Sequence, residues 1–451
     1  MIPKWTTIST QLVEPDVKRE PEWMECSVLD YLALYYKSQL FLYTPNSEGE
    51  GIPQIDQLTD SLSKALTFFY PLAGRLIREV RWEKQRLQCN NAGALFIHKR
   101  YNGVASELIN EDNFTPTFDL SGIEDIQPHA PVYPPSGLPT LIIQVTDFEC
   151  GSRCVNASFS HQVSDATSNI HFLRSWAEIS RGQMISSVPV HDRSLLSPRK
   201  PSPVLDDGAP VRFLNNRVKE PPAYNCFPIP EEGMRMKAWE LSKTEMEAVK
   251  DQGRRDCAGN AVIPSTADCL SAHLWRLMVG KRDYKPDDMV ALNTYVDLRS
   301  RLKDFPPSYF GNCVISTSTM MTVRDLLSKS LGDVATEIRK SNQAVDDEVA
   351  RGWIDWLSAN KFHIWSLGDE PLMPGDPQVV YHIYRASYVL RAPFYDLDFG
   401  SGKPLLSFRN DVVENSQLLG TFLALPSSRR GDVRLELFAE NSLLDKIGDK
   451  L

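Results

Sequence analysis

The stretch CVNASFSHQVSDATSNIHFLRSWAEISRG, residues 154–182, changes its hydrophobic period midway. From Cys154 to Ser160 the apolar Val155, Ala157 and Phe159 alternate with Asn156, Ser158 and Ser160, the two-residue period of a strand. From Asp165 to Arg181 the apolar Ile170, Leu173, Trp176 and Ala177 follow helical spacing, and Gly182 supplies a stop. The junction reads His161-Gln-Val-Ser-Asp165, an H-x-x-x-D. A side chain there is gripped by regular structure on both sides yet can face a cleft. Histidine titrates near neutrality, so His161 can accept a proton as a general base must. Asp165 can fix the turn by a salt bridge or cap the helix, as aspartates at helix starts commonly do. With eight histidines a chance match is unsurprising, although none of the other seven has an aspartate at that spacing.

Working outward, LTDSLSKALTFFYPLAGRL (58–76) opens as an amphipathic helix with Leu58, Leu62, Leu66 and Phe69 on one stripe, stopped by Tyr70-Pro71. An Asn-Asn-Ala-Gly turn precedes a strand-like LFIH at 95–98, and a proline-rich loop over 128–139 leads into a strand, Thr140 to Asp147. Prolines at 198, 201, 203, 210, 221, 222, 228 and 230 break every pattern, the mark of a crossover between domains. The expected organisation is therefore a domain over 1–196 carrying the H-x-x-x-D, a linker over 197–230 and a domain over 231–451. Beyond the linker, 234–241 reads as a strand and Ser242 to Gln252 as a helix with Ser242 and Glu245 at capping-box spacing. A stronger helix spans Ser265 to Lys281. Strands and helices mix to the end, so the class is α/β or α+β in two halves of similar size.

At 451 residues the chain exceeds one comfortable core, and 42% hydrophobic with 24% charged residues is ordinary for a folded protein. A net charge of −9 with no Lys/Arg block argues against a nucleic-acid partner. The first residues lack the apolar run of a signal peptide, and nothing approaches the ~20 apolar residues of a membrane span. A cytoplasmic location is expected. Of the cysteines only Cys150 and Cys154 lie close together, and no second pair completes a zinc set, so no metal site is expected. Sequons at Asn113 and Asn156 mean little without a secretory route.

Two further clusters call for explanation. YDLDFGSGKP (395–404) is not a Walker A loop, because Leu397 stands where a glycine is needed. It is not a kinase D-F-G, for want of an H-R-D upstream, nor a Rossmann turn, because Leu405 replaces the last glycine. A glycine-rich turn between two strands remains. VDLRSRL (296–302), followed by YFGN (309–312), carries Arg299 and Arg301 at a strand end. They are either a solvated edge or partners of Asp165 or Asp398 in a bidentate bridge.

FFYPLAGRL (68–76), SHQVSDATS (160–168) with WAEISRG, STADCLSAHLWR (265–276), VDLRSRL with YFGN, and YDLDFGSGKP together resemble the BAHD family of acyl-CoA-dependent acyltransferases, known from plant and fungal specialised metabolism. The resemblance covers nearly the whole chain. It implies an α/β fold of two chloramphenicol-acetyltransferase-like domains, a pseudo-dimer with an interdomain channel. It implies His161 as the base that deprotonates an acceptor hydroxyl or amine, which attacks an acyl-CoA thioester in a ternary complex. Acyl-CoA is then a co-substrate with no permanently bound cofactor, the partners are small molecules, and the chain acts as a monomer. The resemblance further makes Asp165 structural and paired with an arginine, and Asp398, with Gly400 and Gly402, an architectural turn bridged to Arg299 or Arg301. Ser265 and Thr266 fall where the family contacts CoA.

The departures are specific. The family reads D-F-G-W-G where this chain has Ser401 in place of the Trp. Hydroxycinnamoyltransferase-like members read T-S-W before R-x-P; here Ser387-Tyr388-Val389 precedes Arg391-Ala392-Pro393. Ser387 stands where a threonine can hydrogen-bond the developing oxyanion, and Val389 implies a differently shaped acceptor pocket, which counts against shikimate-like acceptors. The rival readings are a peptide-synthetase condensation domain, which would want His at Ser160, a catalytically silent binding protein, and a serine hydrolase, which lacks any G-x-S-x-G.

Overall fold

The computed structural model describes residues 5–32, 36–48, 51–78, 85–107, 137–200, 233–257, 262–366, 381–409, 420–449 and 451. In chain order the elements begin with β1 (Trp5–Val13), β2 (Glu22–Glu25), β3 (Tyr36–Tyr43), α1 (Ile55–Phe68), β4 (Arg75–Arg78), β5 (Gln85–Cys89) and β6 (Ala94–Tyr101). They continue with β7 (Leu141–Phe148), β8 (Arg153–Ser160), α2 (Ala166–Ser180), β9 (Met234–Leu241), α3 (Lys243–Asp256) and α4 (Thr266–Gly280). Next come β10 (Met289–Asp297), β11 (Val314–Thr322), α5 (Val323–Ser328), α6 (Leu331–Gln343), α7 (Asp347–Ser366) and β12 (Tyr381–Tyr388). The series closes with β13 (Leu406–Arg409), β14 (Thr421–Pro426), β15 (Val433–Glu440) and α8 (Asn441–Ile447).

Two compact units result. The first comprises Met1–Ser197, Phe305–Cys313 and Ala392–Val412; the second takes Pro198–Asp304, Val314–Arg391 and Val413–Leu451. The first unit holds a mixed sheet in the order β1-β6-β7-β8-β3-β13 and a small sheet β2-β5-β4. Helix α1 forms where the apolar stripe demands it, with Leu58, Leu62 and Leu66 fully buried. It starts three residues before Leu58, at Ile55, and after Phe68 the chain tightens into a 3-10 turn over Tyr70–Ala73, where Pro71 has no amide hydrogen to continue an α-helix. The indole of Trp176 on α2 donates to Leu58 O (3.3 Å) and Ser61 Oγ (3.0 Å), locking α2 to α1.

Strand β8 alternates as its sequence predicts, yet both its faces are buried. Phe159 meets Phe172 of α2 edge-on at 5.7 Å, while on the polar side Ser158 shares a 2.6 Å hydrogen bond with Ser38 of β3. Buried hydroxyls survive there because the neighbouring strand supplies partners.

The second unit holds a mixed sheet in the order β11-β10-β12-β14-β15-β9. Leu270, Leu274 and Trp275 of α4 pack with Val290 and Leu292 of β10, Tyr384 of β12 and Leu435 of β15 in one core. The predicted cap at Ser242 is present, its hydroxyl accepting from Glu245 N to open α3, and Ser265 likewise accepts from Asp268 N to open α4, a cap the sequence reading had not named.

The chain does not divide at a single point. Residues 305–313 and 392–412, assigned by sequence to the C-terminal domain, belong to the first unit, and the glycine-rich turn goes with them. The reason is pairing. β13 lies antiparallel to β3, Leu406 opposite Leu42, and Phe310 N donates to Val190 O at 2.8 Å. Such long-range partners leave no periodic trace. The expected loop over 128–139 and crossover over 197–230 fall largely outside the described residues.

Candidate active site

His161 occupies the turn that joins β8 to α2. Val163 N donates to Ser160 O (2.9 Å), closing the turn, and Asp165 caps α2 by accepting from Ser168 N at 2.9 Å. The other Asp165 oxygen accepts from Cys313 N (2.9 Å). Ser168 Oγ donates to Gly311 O and accepts from Gly311 N, each at 2.9 Å. The start of α2 is thus stitched to the YFGN loop. Asp165 thus holds the helix start with one oxygen and the loop with the other.

The stitching sets Asn312 beside His161. Asn312 Nδ2 donates to His161 O (2.7 Å) and to Asp30 Oδ1 (2.8 Å). Both of those atoms only accept, so that end of the carboxamide must be the NH2 group. Its oxygen therefore faces His161 Nδ1, at 3.1 Å. An oxygen there requires Nδ1 to carry the hydrogen, so the imidazole lone pair lies on Nε2. The tautomer follows from hydrogen-bond accounting alone.

The ring is half-buried, and removal of water from around it pushes the His161 pKa well below its ordinary value; the Lys37 ammonium adds to this. Asp165 and the Asn312 hydrogen bond act in the opposite sense without reversing it. His161 is neutral at physiological pH and holds a proton-accepting nitrogen.

Behind Asn312 lies a buried ion pair. Asp30, 1% exposed, faces Arg193, 8% exposed, across 3.2 Å from Oδ2 to Nε. Arg193 Nη2 donates to Val163 O (2.8 Å) within the His161 turn, and Nη1 donates to Phe310 O and to Tyr309 Oη. Burial alone would lower the arginine's pKa, but the Asp30 carboxylate and Tyr309 more than offset it and raise it. A Cβ at Gly311 would fall 1.8 Å from Arg193 Nη1, so any larger residue there requires the guanidinium to move.

The glycine-rich turn is a separate piece of the same unit. Asp398 Oδ1 accepts from Gly400 N (2.7 Å) and Gly402 N (2.9 Å), and both glycines have positive φ, +100° and +118°. Phe399 is fully buried against Trp176 (4.6 Å), and its carbonyl accepts from Gln57 Nε2 (2.8 Å) and Ser180 Oγ (2.7 Å). Within this unit the Asp398 carboxylate is held by the turn's own amides. Arg299 meets Asp297 at its own strand end, at 3.1 Å.

The transferase-family model matches residues 4–449. The chain belongs to this family, the BAHD acyltransferases. It is 30% identical over 387 residues to the hydroxycinnamoyl-CoA:piscidic acid hydroxycinnamoyltransferase of Actaea racemosa, covering 81% of each chain. It is 27% identical over 373 residues to the shikimate O-hydroxycinnamoyltransferase of Nicotiana tabacum, covering 77% of each. Among solved structures, vinorine synthase superposes with a TM-score of 0.68 at 21% identity, covering 98% of this chain and 96% of that one, a likeness of fold. As a BAHD member the chain is an acyl-CoA-dependent acyltransferase with acyl-CoA as co-substrate.

The remaining BAHD motif residues lie in the second unit. Ser387 sits on β12, in the stretch paired with β14 opposite Leu423, and its hydroxyl makes no hydrogen bond among the described residues. Ser265 spends its hydroxyl on the α4 capping box with Asp268, while Thr266 is the first residue of that helix. Arg301 follows the short turn that holds Arg299. Among the described residues no group of three His, Cys, Asp or Glu side chains could hold a metal, and no helix is long and apolar enough to cross a membrane. The reading from sequence passed over Asp30 and Arg193 entirely and quoted Asn312 only as part of a motif. An asparagine after Tyr-Phe-Gly was the one signal available.

Proposed function

We propose that this BAHD chain transfers an acyl group from acyl-CoA to a hydroxyl or amine of a small specialised metabolite, with His161 as general base. Nε2 takes the proton from the acceptor, whose oxygen or nitrogen attacks the thioester carbonyl. The tetrahedral intermediate collapses with cleavage of the C–S bond, and the departing CoA sulfur receives the proton back from His161. A ternary complex supplies the proximity, so no acyl-enzyme is required. The observation that carries this reading is the orientation of Asn312, which places a hydrogen on Nδ1 and leaves the lone pair on Nε2.

In this scheme Ser387 donates to the developing oxyanion, and Asp165, Asp398, Gly400, Gly402, Arg299 and Arg301 shape the framework. Of the two residues carried over as CoA contacts, Thr266 has the less committed side chain. Two relatives named for hydroxycinnamoyl transfer make coumaroyl-CoA the first donor to try. The same reading takes the chain as a cytosolic monomer.

The test is a panel of acetyl-, malonyl-, benzoyl- and coumaroyl-CoA against pooled alcohols and amines, following free thiol and acylated product. Acylated product with the parent protein, and none with a folded His161→Ala variant, is the expected result. Near-normal turnover in that variant would remove the base assignment.

A further inference from the structure

We propose that Asp30, held in place by Arg193, is a positioning residue for acyl transfer: its carboxylate fixes the Asn312 carboxamide and through it the tautomer of His161. The inference rests on His161 being the base, and it adds the group that sets which ring nitrogen can act.

The Asp30 carboxylate divides its two oxygens between two tasks. Oδ2 accepts from Ser27 N (2.8 Å) and faces Arg193 Nε (3.2 Å), which ties it to the framework. Oδ1 accepts from Asn312 Nδ2 (2.8 Å) and Asn312 N (3.3 Å), which is the side that reaches the site. A carboxylate can only accept, so it forbids the flipped carboxamide, in which two oxygens would meet in a buried place. Arg193 matters because its guanidinium, beside Oδ2, fixes which edge of the carboxylate faces the framework and which faces Asn312. The two residues act on His161 without being in the reaction, across 131 positions of sequence from Asp30 to His161 (161 − 30).

The consequence of Asp30→Asn has a direction. The new side chain must show its NH2 to one of two neighbours. On the framework side stand two fixed donors, Ser27 N and the charged Arg193 Nε, so the amide oxygen turns there. Its NH2 then points at Asn312, where it favours the flipped carboxamide while His161 O still favours the parent one, so the two orientations compete, and the flipped one presents Oδ1 to residue 30 and Nδ2 to His161. A donor facing Nδ1 moves the hydrogen to Nε2, and the proton-accepting site is lost.

The experiment is long-range proton–nitrogen NMR on protein with labelled histidine, the His161 signals being identified by their loss in His161→Ala. The parent should show the Nδ1–H form; folded Asp30→Asn should show Nε2–H or a mixture. Its kcat should fall roughly 100-fold with KM changed less than about twofold, as expected when a base is held in the wrong tautomer. A parent pattern persisting at His161 in folded Asp30→Asn would overturn the proposal, as would an unchanged kcat. If Asp30→Asn does not fold, Asn312→Ala carries the test, since it leaves Ser27, Asp30 and Arg193 in place. An unaltered Nδ1–H signal in that variant would equally overturn it. The NMR reading needs no substrate, so failure of the base assignment, seen as activity in His161→Ala, stays distinguishable from failure of this one.

Discussion

Gly311→Ala adds one methyl group and should cost about as much as a large-to-small core truncation. The new Cβ would lie 1.8 Å from Arg193 Nη1, 2.5 Å from its Cζ and 2.9 Å from Tyr309 Cε1. Ordinary contact begins at 3.4 Å, so the guanidinium must retreat by 3.4 − 1.8, or about 1.6 Å. Hydrogen bonds hold only over about 2.7–3.2 Å, so that retreat breaks the bonds from Nη1 to Phe310 O and Tyr309 Oη and pulls Nε away from Asp30. Separating a buried ion pair costs about 3–5 kcal/mol. Against this, Gly→Ala stiffens the unfolded chain and returns about 0.4–1 kcal/mol, because the backbone at 311 is not left-handed and alanine can adopt it. The clash wins, with a net loss of about 2–4.6 kcal/mol. Urea unfolding followed by far-UV circular dichroism measures it, and kcat on the same samples should fall because Asn312 shares the displaced loop. An unfolding free energy within about 1 kcal/mol of the parent would mean that Arg193 yields without breaking its contacts, and the reasoning would be wrong.

Asp398→Asn should be nearly silent, since its amide oxygen can still accept from Gly400 N and Gly402 N, whereas Asp398→Ala should cost about 1–3 kcal/mol by orphaning both; equal losses in the two variants, read by urea unfolding, would restore a role for the charge. The lowered His161 pKa places the acid limb of kcat/KM below about 6.5, the ordinary histidine value, and a limb at or above it in a pH–rate profile would contradict the assigned burial. Stability has the same sign. His161 and His191, the latter pushed down to about 3 chiefly by burial, stay neutral when folded and take up protons when unfolded. Folding stability should therefore decline as pH falls below about 6.5, and a flat urea midpoint between pH 7 and pH 5 would refute this.

What the sequence discloses is set by how local the cause is. The change of period around His161 and the caps at Asp165 and Ser242 are short-range events, and each was readable because three or four residues decide it. The fold family was readable because several such local pieces recur in order. Asp30 and Asn312 are 282 positions apart, and no periodicity connects them. The partners of Asp398 were missed for the opposite reason: they are the turn's own amides, two and four residues away, which a search for a charged partner overlooks. Domain limits drawn from a proline-rich stretch could not reveal that β13 returns to β3, since its four residues carry little signal of their own.

That returning strand has a consequence for synthesis on the ribosome. β8 is complete at Ser160, but β13 begins at Leu406, a gap of 246 residues (406 − 160). At about 5–20 residues per second, the nascent chain waits roughly 12–50 s with one edge of β3, bearing Leu40 and Leu42, unpaired. Open edges of this kind recruit other strands. Release of the N-terminal portion by a stop after Ser197 should yield aggregate, and heterologous production should respond to slower initiation or added chaperone more than to any change in the reaction centre.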